Sequence, residues 1–349
     1  MVAIGINGYG TIGKRVADAI ECQPDMHVAG VVKVSPDRGA TLARTRAFSL
    51  YTPDARTQNT FERAGFTVAG TLADLIDRAD IIVDATPGGV GAEQVPYYRD
   101  AGIPYILQGA ESADLVDESF CTRTNGSDCR SAGSLRVVSC NTTGLARTIT
   151  ALGKAGSIET VHGTLIRRGG DPTQQERGPI NDIIPTSGSS HHGRDLMTVI
   201  PQLAVKTNAV TVPTTLMHVH SLSIAYQDAP ELARIKQALK VTPRVVVVPE
   251  DRGLDATAAL RDWGSDHGRP RGDIWETCVW DASIDVDDGQ VTLFQAIHQE
   301  SIVIPETIDA IRTLAGEDPG VSADTTDSIL GIGTLGDANE LRTPVVPAE

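Results

Sequence analysis

Apolar positions in the first 140 residues fall into short continuous runs. Each run is followed by a stretch whose apolar residues recur three and four apart, a pattern that predicts parallel strands joined by crossover helices. Strands are expected over residues 2–6, 27–34, 81–85, 105–107 and 135–139, with helices over 14–21, 72–78 and 92–100 between them. The texture then changes. A helix is expected over 145–155, and longer alternating segments follow at 160–168, 210–226, 275–285 and 290–298. Asp287-Asp288-Gly289 is a hairpin turn between the last two. Long strands with few helices predict a mixed or antiparallel sheet. The fold class expected is therefore α/β, with an N-terminal domain over 1–139 and an α+β domain over 140–299. A helix over 305–314 is expected to pack back on the first domain, which residues 300–349 would complete, with an irregular end from Leu335. Residues 169–194 are polar and too long for a simple connection, and such loops are usually functional.

At 349 residues the chain suits two domains. The longest apolar runs, such as Val245–Val248, are far short of a membrane span, and no basic-then-apolar leader precedes Val2, so a cytoplasmic protein is expected. The five cysteines are odd in number and lack CxxC spacing, which argues against a disulfide framework and against a metal site. Cys121 and Cys129 lie close together in a loop-like stretch and are expected to be unrelated thiols rather than a pair. Net charge is −15, with 30 Asp against 15 Glu and only six Lys. A diffuse acidic surface excludes nucleic acid and anionic membranes as expected partners. Abundant Asp with scarce Lys predicts a surface that stays hydrated in concentrated salt. A GC-rich genome would explain Arg in place of Lys but not the excess of Asp.

Three groups of residues carry chemistry. Gly8-Tyr9-Gly10-Thr11-Ile12-Gly13 follows a strand and opens a helix, the setting in which such a loop binds the pyrophosphate of a dinucleotide on a Rossmann domain. After the second strand stand Lys33 and Ser35, with no acid until Asp37. A cation and a hydroxyl suit a 2′-phosphate, so NADP is expected alongside NAD. Next, Cys140 lies between the β-branched end of a strand and a helix start, where the helix dipole lowers a thiol pKa and makes a nucleophile. Strand periodicity puts His218 and His220 on one face, and either one is a candidate base for Cys140. Finally, Arg167-Arg168, Thr142 and the stretch Ser189-Ser190-His191-His192-Gly193-Arg194 offer hydroxyls, imidazoles and guanidinium groups suited to phosphate oxygens.

Together these motifs resemble the glyceraldehyde-3-phosphate dehydrogenases of archaeal type. The resemblance rests on Ile6-Asn7-Gly8-Tyr9-Gly10, Ser139-Cys140-Asn141-Thr142-Thr143-Gly144, Arg167-Arg168-Gly169, Ser190-His191-His192-Gly193, Pro213-Thr214-Thr215-Leu216-Met217-His218 and His298-Gln299-Glu300-Ser301. It implies a phosphorylating, NAD(P)-dependent oxidation of glyceraldehyde 3-phosphate through a Cys140 thioester, with His218 as its base. It further implies a role in glycolysis or gluconeogenesis, a homotetramer and, given the acidity, a salt-adapted member. Gly8, Gly10, Thr11, Ile12, Gly13, Lys33, Gly109, Arg168 and Gln299 would meet the cofactor. Ser139, Asn141, Thr142, Arg167, His191, His192 and Arg194 would meet substrate and inorganic phosphate. Strand alternation leaves open which arginine of the pair serves which ligand. A semialdehyde dehydrogenase or acyl-phosphate reductase of amino-acid biosynthesis is the rival enzyme, and a non-catalytic nucleotide-binding regulator the rival of another class.

Overall fold

A computed structural model describes residues 1–170, 181–228 and 230–333. The described residues divide into two compact units, Met1–Val138 with Ile304–Leu330, and Ser139–Val303 with residues 331–333, while the irregular end expected from Leu335 lies outside them.

In the first unit the strands are β1 (Val2–Asn7), β2 (Met26–Val32), β3 (Leu50–Thr52), β4 (Gly70–Thr71), β5 (Ile81–Asp84), β6 (Tyr105–Gln108), β7 (Glu118–Phe120) and β8 (Ser134–Val137). Helices α1 (Thr11–Glu21), α2 (Arg38–Thr45), α3 (Ala55–Arg63), α4 (Leu72–Ile76), α5 (Val90–Ala101) and α6 (Thr122–Asn125) connect them. Every strand pair is parallel, in the order β4-β3-β2-β1-β5-β6-β8-β7. Strand order reverses between β1 and β5, and in open sheets of this kind ligands bind beyond the strands' carboxyl ends at that point. The continuous apolar runs exist because both faces are covered: Ile4, Ile6, Ile82 and Leu107 are fully buried.

In the second unit α7 (Cys140–Gly153) is followed by β9 (Ile158–Arg168), β10 (Ile184–Pro185), α8 (His192–Leu196), β11 (Ala204–Val212) and β12 (His218–Tyr226). Then come α9 (Leu232–Lys240), β13 (Val245–Val248), α10 (Thr257–Asp266), β14 (Thr277–Trp280), β15 (Asp285–Asp287) and β16 (Gln290–Ile297). The sheet runs β10-β11-β9-β12-β16-β14-β13, with β15 on β16, and mixes parallel with antiparallel pairs. The turn at Asp288-Gly289 has positive φ at both residues, as a tight hairpin requires. Helices α11 (Val303–Leu314) and α12 (Pro319–Leu330) close the first unit, where Thr122 donates to Glu306 and Arg312 holds Asp25.

Three sequence expectations change. The segment expected over 275–285 is two short strands, Thr277–Trp280 and Asp285–Asp287, separated by a 3-10 turn at Asp281–Ser283. Residues 210–226 form two strands, not one, because the chain breaks after Val212 and Met217 takes a left-handed φ of 59°. The cysteine-bearing helix starts at Cys140, not beyond Thr143, because the Ser139 side chain accepts the Thr142 backbone N–H and starts the helix there. Among the described residues all five cysteines are thiols, so Cys121 and Cys129 do not pair. No helix there is long and apolar enough to cross a membrane.

Candidate active site

Strand β1 ends at Asn7, and α1 opens on a glycine cap that makes no side-chain hydrogen bond. The first-turn N–H groups of α1 are therefore not covered by a capping side chain, and no acid stands in that turn. Gly8 has φ +96°, and a Cβ there would meet the Ala85 and Thr86 backbone at 2.8 Å. A Cβ on Gly13 would lie 2.1 Å from the Gly8 carbonyl oxygen, whereas Gly10 faces open space. These three glycines meet the three demands of a pyrophosphate loop: tight turn, room for ligand, and close strand–helix packing. Thr11 and Ile12 begin the helix, and Gly109 follows β6 on the same carboxyl edge of the sheet.

Lys33 follows β2, but both donors expected to await a 2′-phosphate face Asp37. Lys33 Nζ lies 2.9 Å, and Ser35 Oγ 3.0 Å, from one oxygen of its carboxylate. The other oxygen caps α2 by accepting the N–H groups of Gly39 and Ala40. The acid that seemed too remote in sequence is folded back onto the cation.

In the second unit β12 and α7 bring the chemistry together. Cys140 is the first residue of α7 and is partly exposed. Asn141, buried beside it, places Nδ2 3.9 Å from the Cys140 sulfur and 3.2 Å from His192 Nε2. His218 and His220 are the first and third residues of β12, both buried on one face, as the period of two predicts. His220 Nε2 lies 2.9 Å from Asn141 Oδ1, and His192 Nδ1 lies 2.5 Å from Ser190 Oγ. The Nδ1 of His218 accepts the Arg168 backbone N–H at 3.1 Å. In the neutral ring the proton must then sit on Nε2, so His218 is built to donate from that nitrogen rather than to take a proton there.

All three imidazoles are held neutral. Burial pushes His192 down to about 3, helped by the charges of His191 and Arg167 and opposed by Asp195. Burial also pushes His220 down to about 3, with His192 adding to it. His218 lies well below the usual histidine range, through burial first, then through repulsion from any proton placed on His220 and from the fixed charges of Arg168 and Arg167. Arg167 thus acts on both His192 and His218, and Arg168 on His218 alone of the two. Arg167 Nε is buried without a hydrogen-bond partner. His191 stacks on His192 with ring centroids 4.0 Å apart, and His191 and Arg194 are exposed.

One expected phosphate ligand is corrected. Thr142 is fully buried, its hydroxyl donates to the Asp195 carboxylate at 2.5 Å, and the Ser139 hydroxyl lies 2.8 Å from it. A carboxylate at that distance repels phosphate, so Thr142 joins the start of α7 to α8 instead. Gln299 is buried with neither its amide oxygen nor its nitrogen hydrogen-bonded. A buried amide with both ends unmet is costly. It suits the carboxamide of a nicotinamide, which offers the complementary pair of groups. Sequence reasoning missed Asp195, Gln295 and Thr148, which hold this site from behind. Among the described residues no cluster of three or more His, Cys, Asp or Glu could hold a metal ion.

Residues 139–254 match the family described as glyceraldehyde 3-phosphate dehydrogenase, C-terminal domain, and residues 2–109 match dihydrodipicolinate reductase, N-terminus. A glyceraldehyde-3-phosphate dehydrogenase of Halobacterium salinarum is 48% identical over 335 residues, which cover 95% of this chain and 100% of the relative. That of Haloarcula marismortui is 46% identical over 337 residues, 95% of each chain. That of Methanothermobacter thermautotrophicus is 45% identical over 316 residues, 90% of this chain and 94% of the relative.

Proposed function

Because the chain belongs to the glyceraldehyde-3-phosphate dehydrogenase family, we propose that it oxidises glyceraldehyde 3-phosphate with inorganic phosphate and NAD(P), using Cys140 as nucleophile. The observation that carries this reading is Cys140 as first residue of α7, with the Asn141 amide nitrogen against its sulfur. The Cys140 thiolate, its proton released to solvent, adds to the aldehyde carbon and moves the carbonyl electron pair onto oxygen. A nicotinamide cofactor held at Gly8, Gly10, Gly13 and Gln299 would supply the hydride acceptor that oxidation of this adduct to a thioester requires. Phosphate oxygen then attacks the thioester carbon, and the C–S bond breaks to return the thiolate. No base is needed at Cys140 in this scheme. The Nε2–H of His218 serves as donor to the developing oxyanion.

Gly8, Gly10, Thr11, Ile12 and Gly13 would hold the cofactor pyrophosphate, and Gln299 its carboxamide, with Gly109, Lys33 and Arg168 completing the set. Arg167, whose charge reaches His192 and His218, is assigned to the substrate side together with His191, His192 and Arg194. Ser139 starts the helix and Asn141 faces the sulfur. We further assign the chain to the cytoplasm and to a homotetramer, on the strength of its family.

The test is a rate assay with glyceraldehyde 3-phosphate, with and without phosphate, using either cofactor. Reduced cofactor should form continuously only when phosphate is present. Cys140→Ser should abolish turnover while cofactor binding persists, since a hydroxyl is a far weaker nucleophile than a thiolate at neutral pH. Substantial steady-state activity in that variant would remove Cys140 from the role.

A further inference from the structure

A primary amide has two ends of nearly equal size and opposite hydrogen-bonding sense, and only its partners decide which end faces which way. At Asn141 the choice matters, because one end meets the sulfur of Cys140. The NH2 end stabilises a thiolate there, whereas the carbonyl end would repel it. Behind Asn141 runs a chain of buried groups that makes this choice. The Thr148 hydroxyl donates to Gln295 Oε1 at 2.5 Å. Gln295 Nε2, facing His220 at 3.0 Å, donates to Nδ1. With its lone pair so engaged, the neutral ring carries its proton on Nε2 and donates to Asn141 Oδ1 at 2.9 Å. Asn141 Nδ2 is then left pointing at Cys140 and at His192. Thr148, Gln295 and His220 are fully buried and Asn141 nearly so, so water does not supply an alternative partner.

The scaffold explains how these groups meet. His220 and Gln295 are cross-strand partners of β12 and β16. Asn141 and Thr148 stand seven residues apart on α7, two turns along one helix face. The chain of donors leaves α7, crosses both strands and returns to α7. Gly144 lies between, and a Cβ there would sit 1.7 Å from Ile297 Cδ1, so any larger residue would have to displace the end of that side chain on β16.

We propose that Thr148, Gln295 and His220 are positioning residues that fix the Asn141 amide with its NH2 toward Cys140, and thereby set the reactivity of that thiol. This rests on the reading of Cys140 as the nucleophile. The Thr148 hydroxyl is the head of the chain and lies two helical turns from the sulfur, so it is the place to break it. Thr148→Val is nearly isosteric and removes only the donor, and Thr148→Ser restores it.

The readout is the pH dependence of Cys140 alkylation by iodoacetamide, followed on the whole protein in molar KCl, together with kcat and KM. Thr148→Val should shift the alkylation midpoint upward, with about tenfold slower labelling on its acid side and a lowered kcat. Thr148→Ser should return the wild-type profile. Gln295→Met breaks the second link and should shift the profile in the same direction, which keeps the test open if Thr148→Val fails to fold. Wild-type profiles in both broken variants would overturn the positioning role, as would a Thr148→Ser profile displaced as far as that of Thr148→Val. If Cys140 of the wild type is not labelled faster than Cys22 or Cys278, the nucleophile assignment itself fails, a result separate from the other two.

Discussion

Asp37 decides more than its distance from β2 suggests. Its carboxylate caps α2 and also draws in Lys33 and Ser35, the two groups best suited to a 2′-phosphate. The Lys33 side chain is largely buried and that of Asp37 half-exposed, so a phosphate arriving with nearly two negative charges would have to share its cation with a fixed anion. The same oxygen atoms suit a ribose 2′-hydroxyl, which can donate to them. Asp37→Ser should therefore keep the cap, since Ser serves that position well, and should shift preference toward NADP. Lys33→Ala should weaken NADP by about 1–3 kcal/mol more than NAD, the worth of one charge-assisted hydrogen bond. Binding of each cofactor, measured by quenching of intrinsic fluorescence, checks both. An unchanged NADP/NAD ratio in the two variants would make Lys33–Asp37 a surface pair and nothing more.

The packing of α7 and α8 against β12 keeps His192, His218 and His220 neutral, and that has a cost in acid. Each of these groups has its folded pKa depressed below the ordinary 6.5, to about 3 for His192 and His220. The unfolded chain takes up protons as pH falls through 6.5 while the folded chain does not, so stability is full above that value and is lost as pH falls toward 3. Well below pH 6.5 each histidine contributes about 1.4 kcal/mol per pH unit, hence about 4 kcal/mol per unit for the three. Carboxylates add to acid lability only nearer pH 4. The urea midpoint at fixed KCl should thus fall between pH 7 and 5.5, and a flat profile over that interval would show that the three rings are protonated in the fold. How far these elements were legible in the sequence follows from the same packing. The β12 face was readable because alternation sets His218 and His220 in phase with buried Leu222 and Ile224. Gln295 was missed although it stands as a lone polar residue in phase with Val291, Leu293 and Ile297, and its partner on α7 carried no signal at all. Helix α12 was invisible to hydropathy, since Ser322 and Thr326 are buried by hydrogen bonds to Asp309 rather than by apolar contact. The fates of Thr142 and Lys33 depended on Asp195 and Asp37, acids that only the folded chain brings to them.

Over the whole molecule the dominant electrostatic fact is a formal charge of −15 on 349 residues. Attractive exposed pairs exist, such as Arg130 with Asp318, but each is worth about 0–1 kcal/mol and is itself screened by salt. The surplus of acid repels itself over longer distances. In dilute buffer, with screening over ~10 Å or more, that repulsion acts across the surface and favours expansion of the chain. Near ~1 M ionic strength the screening length falls to ~3 Å, and only contacting charges still feel one another. The repulsion is then lost while buried pairs such as Arg269 with Glu276 keep most of their strength. A tetramer, if it forms, concentrates acid further and should gain more from salt than the isolated chain. Melting temperature and activity should therefore both rise with KCl from ~0.1 M to ~2 M. Chloride is the cleaner probe, because sulfate also strengthens apolar burial and would raise stability in a protein of any charge. Measured by thermal unfolding at fixed pH above 7, where the histidines do not titrate, a melting temperature that stays level or falls across that range would show that the acidity is not an adaptation to salt.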